Sequence, residues 1–356
     1  MAGEEIVVVG VGVIAPSGLS LAEVDACVRA GTMRFAESAF HDARVFPFQL
    51  AEVPEEALPK LAEKVAEDPA LTPRDARLVR LAGHAIRQAL RDVGTKASRP
   101  PLFLGLPEMQ RERPVDPGKL LGRLAGQTEG AFDLAGSAGI PEGRHAALLA
   151  VGRAAAALRS GATRLALAGG VDSYVDLYTL GTLDLEGRTK AVGRPDGFIP
   201  GEGAAVLLLS TSKAAEALGL RPIATLSEVV EGREAGHLHS KEVFRGDGLA
   251  TVLTTLLARV PPPAPVRSVF SSMNGESHWA KEWGVAAIRC HGLLDPACEV
   301  FHPADVHGDT GAATGAVLVA LAGLAARHDA PAPTLVYSSA DHGGRAALLV
   351  GAAERS

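Results

Sequence analysis

Ser160-Gly161-Ala162-Thr163-Arg164-Leu165-Ala166-Leu167-Ala168-Gly169-Gly170-Val171-Asp172-Ser173 is the segment on which the fold turns. Before it, Arg144 to Arg159 is rich in Ala and reads as a helix, which Gly161 stops at the place where a left-handed residue closes a helix. Leu165 to Ala168 then reads as a strand apolar on both faces, which suits a layer buried between two others. Asp184 to Glu202 carries glycines, prolines and charges without period and reads as a loop. Ala204 to Leu209 restores a strand directly after Gly201-Glu202-Gly203.

Working outward, Ile6 to Val9 is a β-branched strand closed by Gly10-Val11-Gly12, and Leu21 to Ala30 is a helix between Ser20 and Gly31. Leu58, Leu61 and Val65 sit at helical spacing, Thr72-Pro73 opens a helix reaching Leu90 and ending at Gly94, and Pro107 to Pro117 is a loop. The second half repeats the alternation: helix Leu249 to Arg259, strand Val266 to Ser271, helix Trp279 to His291, an Ala/Gly helix Ala312 to Ala326, then strands Thr334 to Ser338 and Ala346 to Val350. Gly201-Glu202-Gly203-Ala204-Ala205-Val206-Leu207-Leu208 has an echo in Gly343-Gly344-Arg345-Ala346-Ala347-Leu348-Leu349. The echo predicts an internal duplication, with halves at residues 1–220 and 221–356, and the alternation of helix and buried strand predicts α/β layers.

The 356 residues exceed what one hydrophobic core usually organises. Lys plus Arg is 35 against Asp plus Glu at 41, a net charge of −6 that offers no footprint for a nucleic acid. Cys27, Cys290 and Cys298 are scattered and odd in number, so no disulfide framework or zinc knuckle is expected and a cytoplasmic setting fits. The N-terminus is acidic and no apolar run reaches membrane-spanning length, so neither a leader nor a membrane partner is expected.

Val7 to Gly18 resembles the opening strand and turn of β-ketoacyl synthases, and the quoted segment from Ser160 to Ser173 resembles them more specifically. Asp196-Gly197-Phe198-Ile199-Pro200-Gly201-Glu202-Gly203-Ala204-Ala205-Val206-Leu207 follows at the family's spacing. Gly308 to Ala316 resembles the Gly-His loop of that family, and Asp341 to Ala346 its Gly-Gly-Thr-Asn turn. The resemblance implies a thiolase fold of two similar halves in five layers, α/β/α/β/α, and a homodimer or a heterodimer with a related subunit. It also implies chemistry by a Cys nucleophile at a helix N-terminus, assisted by two His residues.

None of those three residues is present. Counting back from Gly161 and Gly152 puts the nucleophile position on Arg144, whose guanidinium stays protonated and has no lone pair to attack a thioester. The His positions match Asn274 and Asp309, and the family's gating Phe matches His342. Arg144, Asn274, Asp309 and His342 are expected in one pocket as the substrate-binding residues, the alternative being that Arg144 and Asp309 only neutralise each other there. No cofactor and no metal is expected. The resulting expectation is a relative without condensing activity, acting as partner, scaffold or acyl binder. It resembles a chain-length factor or a thiolase-like accessory of type VI secretion cargo, with an acyl carrier protein or a secreted cargo protein as possible partner. The alternative is an acyltransferase or acyl-thioester hydrolase with a remodelled site, using Asp309 or His342 as base.

Other motifs are weaker. His302, Asp305, His307 and Asp309 carry metal-ligating types, and Gly236-His237-Leu238-His239 is similar, but Gly- and Pro-rich turns more often solvate such groups. Ser137 lacks the flanking pattern of a nucleophile elbow and reads as a loop serine. Pro16 argues against a dinucleotide fingerprint at Gly10, Gly12 and Ala15. Trp279 and Trp283 read as a core helix face.

Overall fold

The computed structural model describes residues 4–91, 99–108, 113–191, 193–329 and 332–353. The strands are β1 (Ile6–Ile14), β2 (Ala36–His41), β3 (Pro47–Leu50), β4 (Pro101–Gly105), β5 (Asp133–Ile140), β6 (Leu165–Ser173) and β7 (Glu202–Thr211), then β8 (Ala224–Leu226), β9 (Val230–Arg233), β10 (Val266–Ser271), β11 (Leu294–Phe301), β12 (Thr334–Ser339) and β13 (Gly344–Ala352). The helices are α1 (Leu21–Ala30), α2 (Glu63–Ala66), α3 (Pro73–Ala89), α4 (Pro117–Gln127), α5 (Ala146–Arg159) and α6 (Leu177–Leu185), then α7 (Ser212–Ala217), α8 (Asp247–Arg259), α9 (Ser277–Arg289), α10 (Ala304–His307) and α11 (Thr314–Asp329).

Among the described residues eleven strands form one sheet in the order β11-β10-β12-β13-β8-β1-β7-β6-β4-β5, with β9 beside β13. The order is nearly a mirror image of itself. From one edge β5, β4 and β6 run parallel and β7 turns antiparallel; from the other β11, β10 and β12 run parallel and β13 turns antiparallel. The echoing sequences lie on β7 and β13, which hold equivalent places in the two arrays. α5 and α11 pack between the arrays in one apolar cluster, with Ala154, Leu207, Val319 and Leu348 in it. α3 and α4 cover one outer face and α8 and α9 the other. These are the five layers of a thiolase fold, with the small side chains of α5 and α11 allowing the two arrays to close on one helical layer.

Several expectations need correction. The first strand does not end at Val9 but runs to Ile14, with a register shift between Val8 and Gly10. Its glycines serve packing, because a Cβ on Gly12 would stand 1.9 Å from the carbonyl oxygen of Ala85 in α3. The spacing around Leu58 to Val65 yields only a 3₁₀ turn, Glu55–Ala57, and the four-residue α2, since Pro54 and Pro59 interrupt it. Ser137 lies on β5, not in a loop, its hydroxyl accepting from Leu102 N at 2.8 Å and donating to Asp133 O. The helix of residues 144–159 begins at Ala146, after a 3₁₀ turn at Gly143–His145. Gly94 lies outside the described residues.

Candidate functional site

The turn Gly143–His145 delivers Arg144 to the N-terminal end of the central helix α5. Its backbone carbonyl accepts from Ser338 Oγ on β12 at 2.8 Å, tying this turn to the second array. The side chain is 3% exposed. Its Nη1 donates to Asp309 Oδ2 at 2.9 Å and its Nη2 donates to Asp341 Oδ1. The guanidinium also lies over the Trp279 ring, 4.3 Å from its centroid.

The other two matched positions close around this group. Asn274, after β10, donates from Nδ2 to Asp309 Oδ2 at 2.8 Å and to Glu276 Oε2 at 3.2 Å. Glu276 takes both arms of Arg188, at 2.8 and 2.9 Å, and the Trp279 indole N–H at 3.0 Å. Arg188 completes the ring by donating from Nη1 to Asp341 Oδ2 at 2.7 Å. Two guanidinium groups therefore share three carboxylates, with every pairing charge-assisted.

The electrostatics follow from this arrangement. Burial would loosen the proton of Arg144, but Asp341 and Asp309 outweigh it and hold the charged form. Burial likewise opposes ionisation of Asp341, and Arg144 with Arg188 reverses the sign, keeping its carboxyl well below the usual range. Glu276 is lowered as well, burial being overcome by Arg188. Asp172 differs: burial pushes it up to about 6 despite Arg74. It accepts from Ala312 N at 2.9 Å, an approach that a side chain at Gly311 (φ 54°) would block.

A cavity of about 420 Å³ opens onto Arg144, with Asp172, Arg188 and Asp341 in its walls and Tyr178, Thr182 and Leu183 contributed by α6. His342 stands at its exposed rim, paired with Glu108. Arg144 and His342 therefore line one cavity, whereas Asn274 and Asp309 lie behind the wall and act through Arg144. None of the cysteines lines it. Cys290 is buried in the outer cluster and Cys298 lies on the edge strand β11, its thiol pushed up to about 11 by burial and Asp295.

The acid and histidine run from His302 to Asp309 disperses. His302 bonds Ser271 at 2.7 Å, His307 bonds Ser17 at 3.0 Å, and Asp309 faces Arg144. Among the described residues no group of three His, Cys, Asp or Glu side chains is arranged to hold a metal. Arg188, Glu276, Asp341, Asp172 and Glu108 were not singled out by the sequence reading. Two of them carried a signal, Asp341 by its place beside His342 in the quoted turn and Asp172 by its place in the segment from Ser160 to Ser173.

The sequence model described as Beta-ketoacyl synthase, N-terminal domain, matches residues 3–215. The chain belongs to the β-ketoacyl synthase family. A search of curated protein sequences gives no match. Among solved structures, this β-ketoacyl synthase homologue is similar to the ishigamide ketosynthase/chain length factor, with 20% identity and a TM-score of 0.79 over 99% of this chain and 100% of that one. It is similar also to a type II PKS ketosynthase bound to a hexaketide and in complex with its acyl-carrier protein, with 15% identity and a TM-score of 0.77 over 99% and 100% of the two chains. The ketosynthase from module 6 of the bacillaene synthase of Bacillus subtilis 168 gives 14% identity and a TM-score of 0.80 over 99% of this chain and 72% of that one. At these identities the likeness is one of fold. No helix among the described residues is long and apolar enough to cross a membrane.

Proposed function

We propose that this β-ketoacyl synthase homologue lacks condensing activity and serves as the non-catalytic partner of a related subunit. One observation carries the reading: the residue at the head of α5 is a buried arginine held by Asp309 and Asp341, with Asn274 bracing Asp309. Covalent condensation needs a nucleophile at that point, and a guanidinium with no lone pair, already spending its donors on carboxylates, supplies none. Of the residues at the two histidine positions, Asp309 pairs with this arginine and Asn274 braces Asp309, so both are engaged within the clamp.

The partner role draws support from the sheet edge. β5 ends the eleven-stranded sheet, Asp133 to Gly136 is exposed, and Leu134 is 44% exposed. An open strand edge with an exposed apolar side chain is a template for pairing with another chain. A chain-length-factor-like role places a related ketosynthase subunit there, and an acyl carrier protein then docks on the pair. An accessory role in type VI secretion shares the loss of chemistry and differs in its partner, a cargo protein.

The cavity reaching Arg144 favours a second reading, hydrolysis or transfer of an acyl thioester without a covalent intermediate. His342 is its base, because it lines the cavity while Asp309 is occupied by Arg144 and Asn274.

Intact-protein mass spectrometry with acetyl-, malonyl- and longer acyl-thioesters separates these readings. The unmodified protein is expected to gain no acyl mass and release no thiol. Acylation of the wild-type chain overturns the non-catalytic reading, and thiol release abolished by His342→Ala establishes the second.

A further inference from the structure

Glu108 follows β4 and His342 stands in the turn between β12 and β13, so the two belong to opposite arrays of the sheet. Their side chains meet at the rim of the cavity, where the His342 imidazole donates from Nδ1 to Glu108 Oε2. The His342 side chain is 61% exposed, whereas the floor groups Arg144 and Asp172 are buried. The residue before His342 is Asp341, which holds both Arg144 and Arg188. One short turn thus carries an exposed contact at the rim and a partly buried contact at the floor.

We propose that the His342–Glu108 pair is a pH-operated latch across the cavity mouth, closed while His342 is protonated and released when it is neutral. The groups facing His342 are Glu108, Asp341 on its own turn, Glu186 after α6, and His239 and His237, whose ring centroids lie 4.8 and 6.0 Å away. Arg233 acts on His237, and His145 at the start of α5 faces Glu108. The hydrogen bond to Glu108, against the opposing effect of burial, raises His342 above its ordinary value. Burial lowers His237 and takes His145 down to about 4, so neither competes for the proton near neutrality. The pair is therefore complete below the ordinary histidine value and is lost as pH rises through the raised one.

The latch is tested by access, not activity, which keeps it separable from the functional reading above. A thiol introduced by Thr182→Cys reports on the cavity wall, and Cys27 on α1, outside the cavity, serves as reference in the same molecule. Maleimide labelling of both is followed by peptide mass spectrometry from about pH 6 to about pH 9, so that the ratio of rates cancels the common titration of thiols. The ratio is expected to rise about threefold or more with pH, and to be high and flat in Thr182→Cys combined with Glu108→Gln. Leu183→Cys gives a second reporter on the same wall should Thr182→Cys not fold. A flat ratio in the chain that retains Glu108, or an equal rise in the Glu108→Gln variant, overturns the latch.

Discussion

Arg144 Nη1 donates to Asp309 Oδ2 at 2.9 Å although the two residues stand 165 positions apart. The contact joins the heads of α5 and α11, the two helices of the central layer, and Asn274 donates to the same Asp309 oxygen at 2.8 Å. A buried charge pair thus ties the segment that opens one central helix to the segment that opens the other.

The clamp predicts an asymmetric mutational response. Arg144→Met leaves Asp309 and Asp341 short of a cation and is expected to destabilise the fold by about 3–5 kcal/mol. Adding Asp309→Asn removes one stranded charge and is expected to restore more than half of that loss. Urea midpoints of the three proteins check it, and equal losses in the single and double variants would show that packing over Trp279, not charge, sets the cost.

The hairpin between β2 and β3 gives a prediction of the opposite sign. Val45 has φ 68° and is 78% exposed, so it adopts the left-handed region with little packing in return. Asp42 stabilises the tip by accepting from the backbone of Arg44 and Phe46. Val45→Asn, a residue tolerated in that region, is expected to add about 1 kcal/mol of stability. A lower denaturation midpoint would count against this account.

Much of the layer architecture was legible because α5, β6 and β7 are coded locally. The Ala-rich helix, its stop at Gly161 and the Leu-Ala-Leu-Ala strand each declare themselves within a few residues. The β7 and β13 echo marked the duplication for the same reason. β1 misled because glycines at positions 10 and 12 look like a turn until α3 is known to press on them. The site was half legible. Arg144, Asn274 and Asp309 were found by counting along motifs, but Arg188, Glu276 and Glu108 sit in aperiodic segments whose side chains gain partners only when distant loops converge. No local pattern encodes such a meeting.

The exposed edge at β5 makes the proposed pairing measurable. Leu134→Asp places a charge on the outermost strand, where it is tolerated by the monomer and disfavoured against a second strand. Sedimentation velocity is expected to show a dimer for the wild-type chain, alone or with its related subunit, and a shift toward monomer for the variant. If the dimer survives Leu134→Asp and Leu134→Lys alike, pairing uses another face.

Acid should dissolve the clamp in a defined order. The folded-state value of Asp341 is depressed, so its contribution is fully present above the ordinary carboxylate value and is lost as pH falls through the depressed one. Asp172 has the opposite sign. Its value is raised to about 6, so its contribution is present at lower pH and is lost as pH rises through about 6. Bulk acid unfolding mixes the two, but the difference between the wild type and Asp341→Asn isolates the first. That difference is expected to be about 2–4 kcal/mol at pH 7 and to shrink steadily once the pH drops below about 4. A difference that stays constant down to the acid limit would mean that Asp341 holds Arg144 and Arg188 by shape and hydrogen bonding, with its charge contributing little.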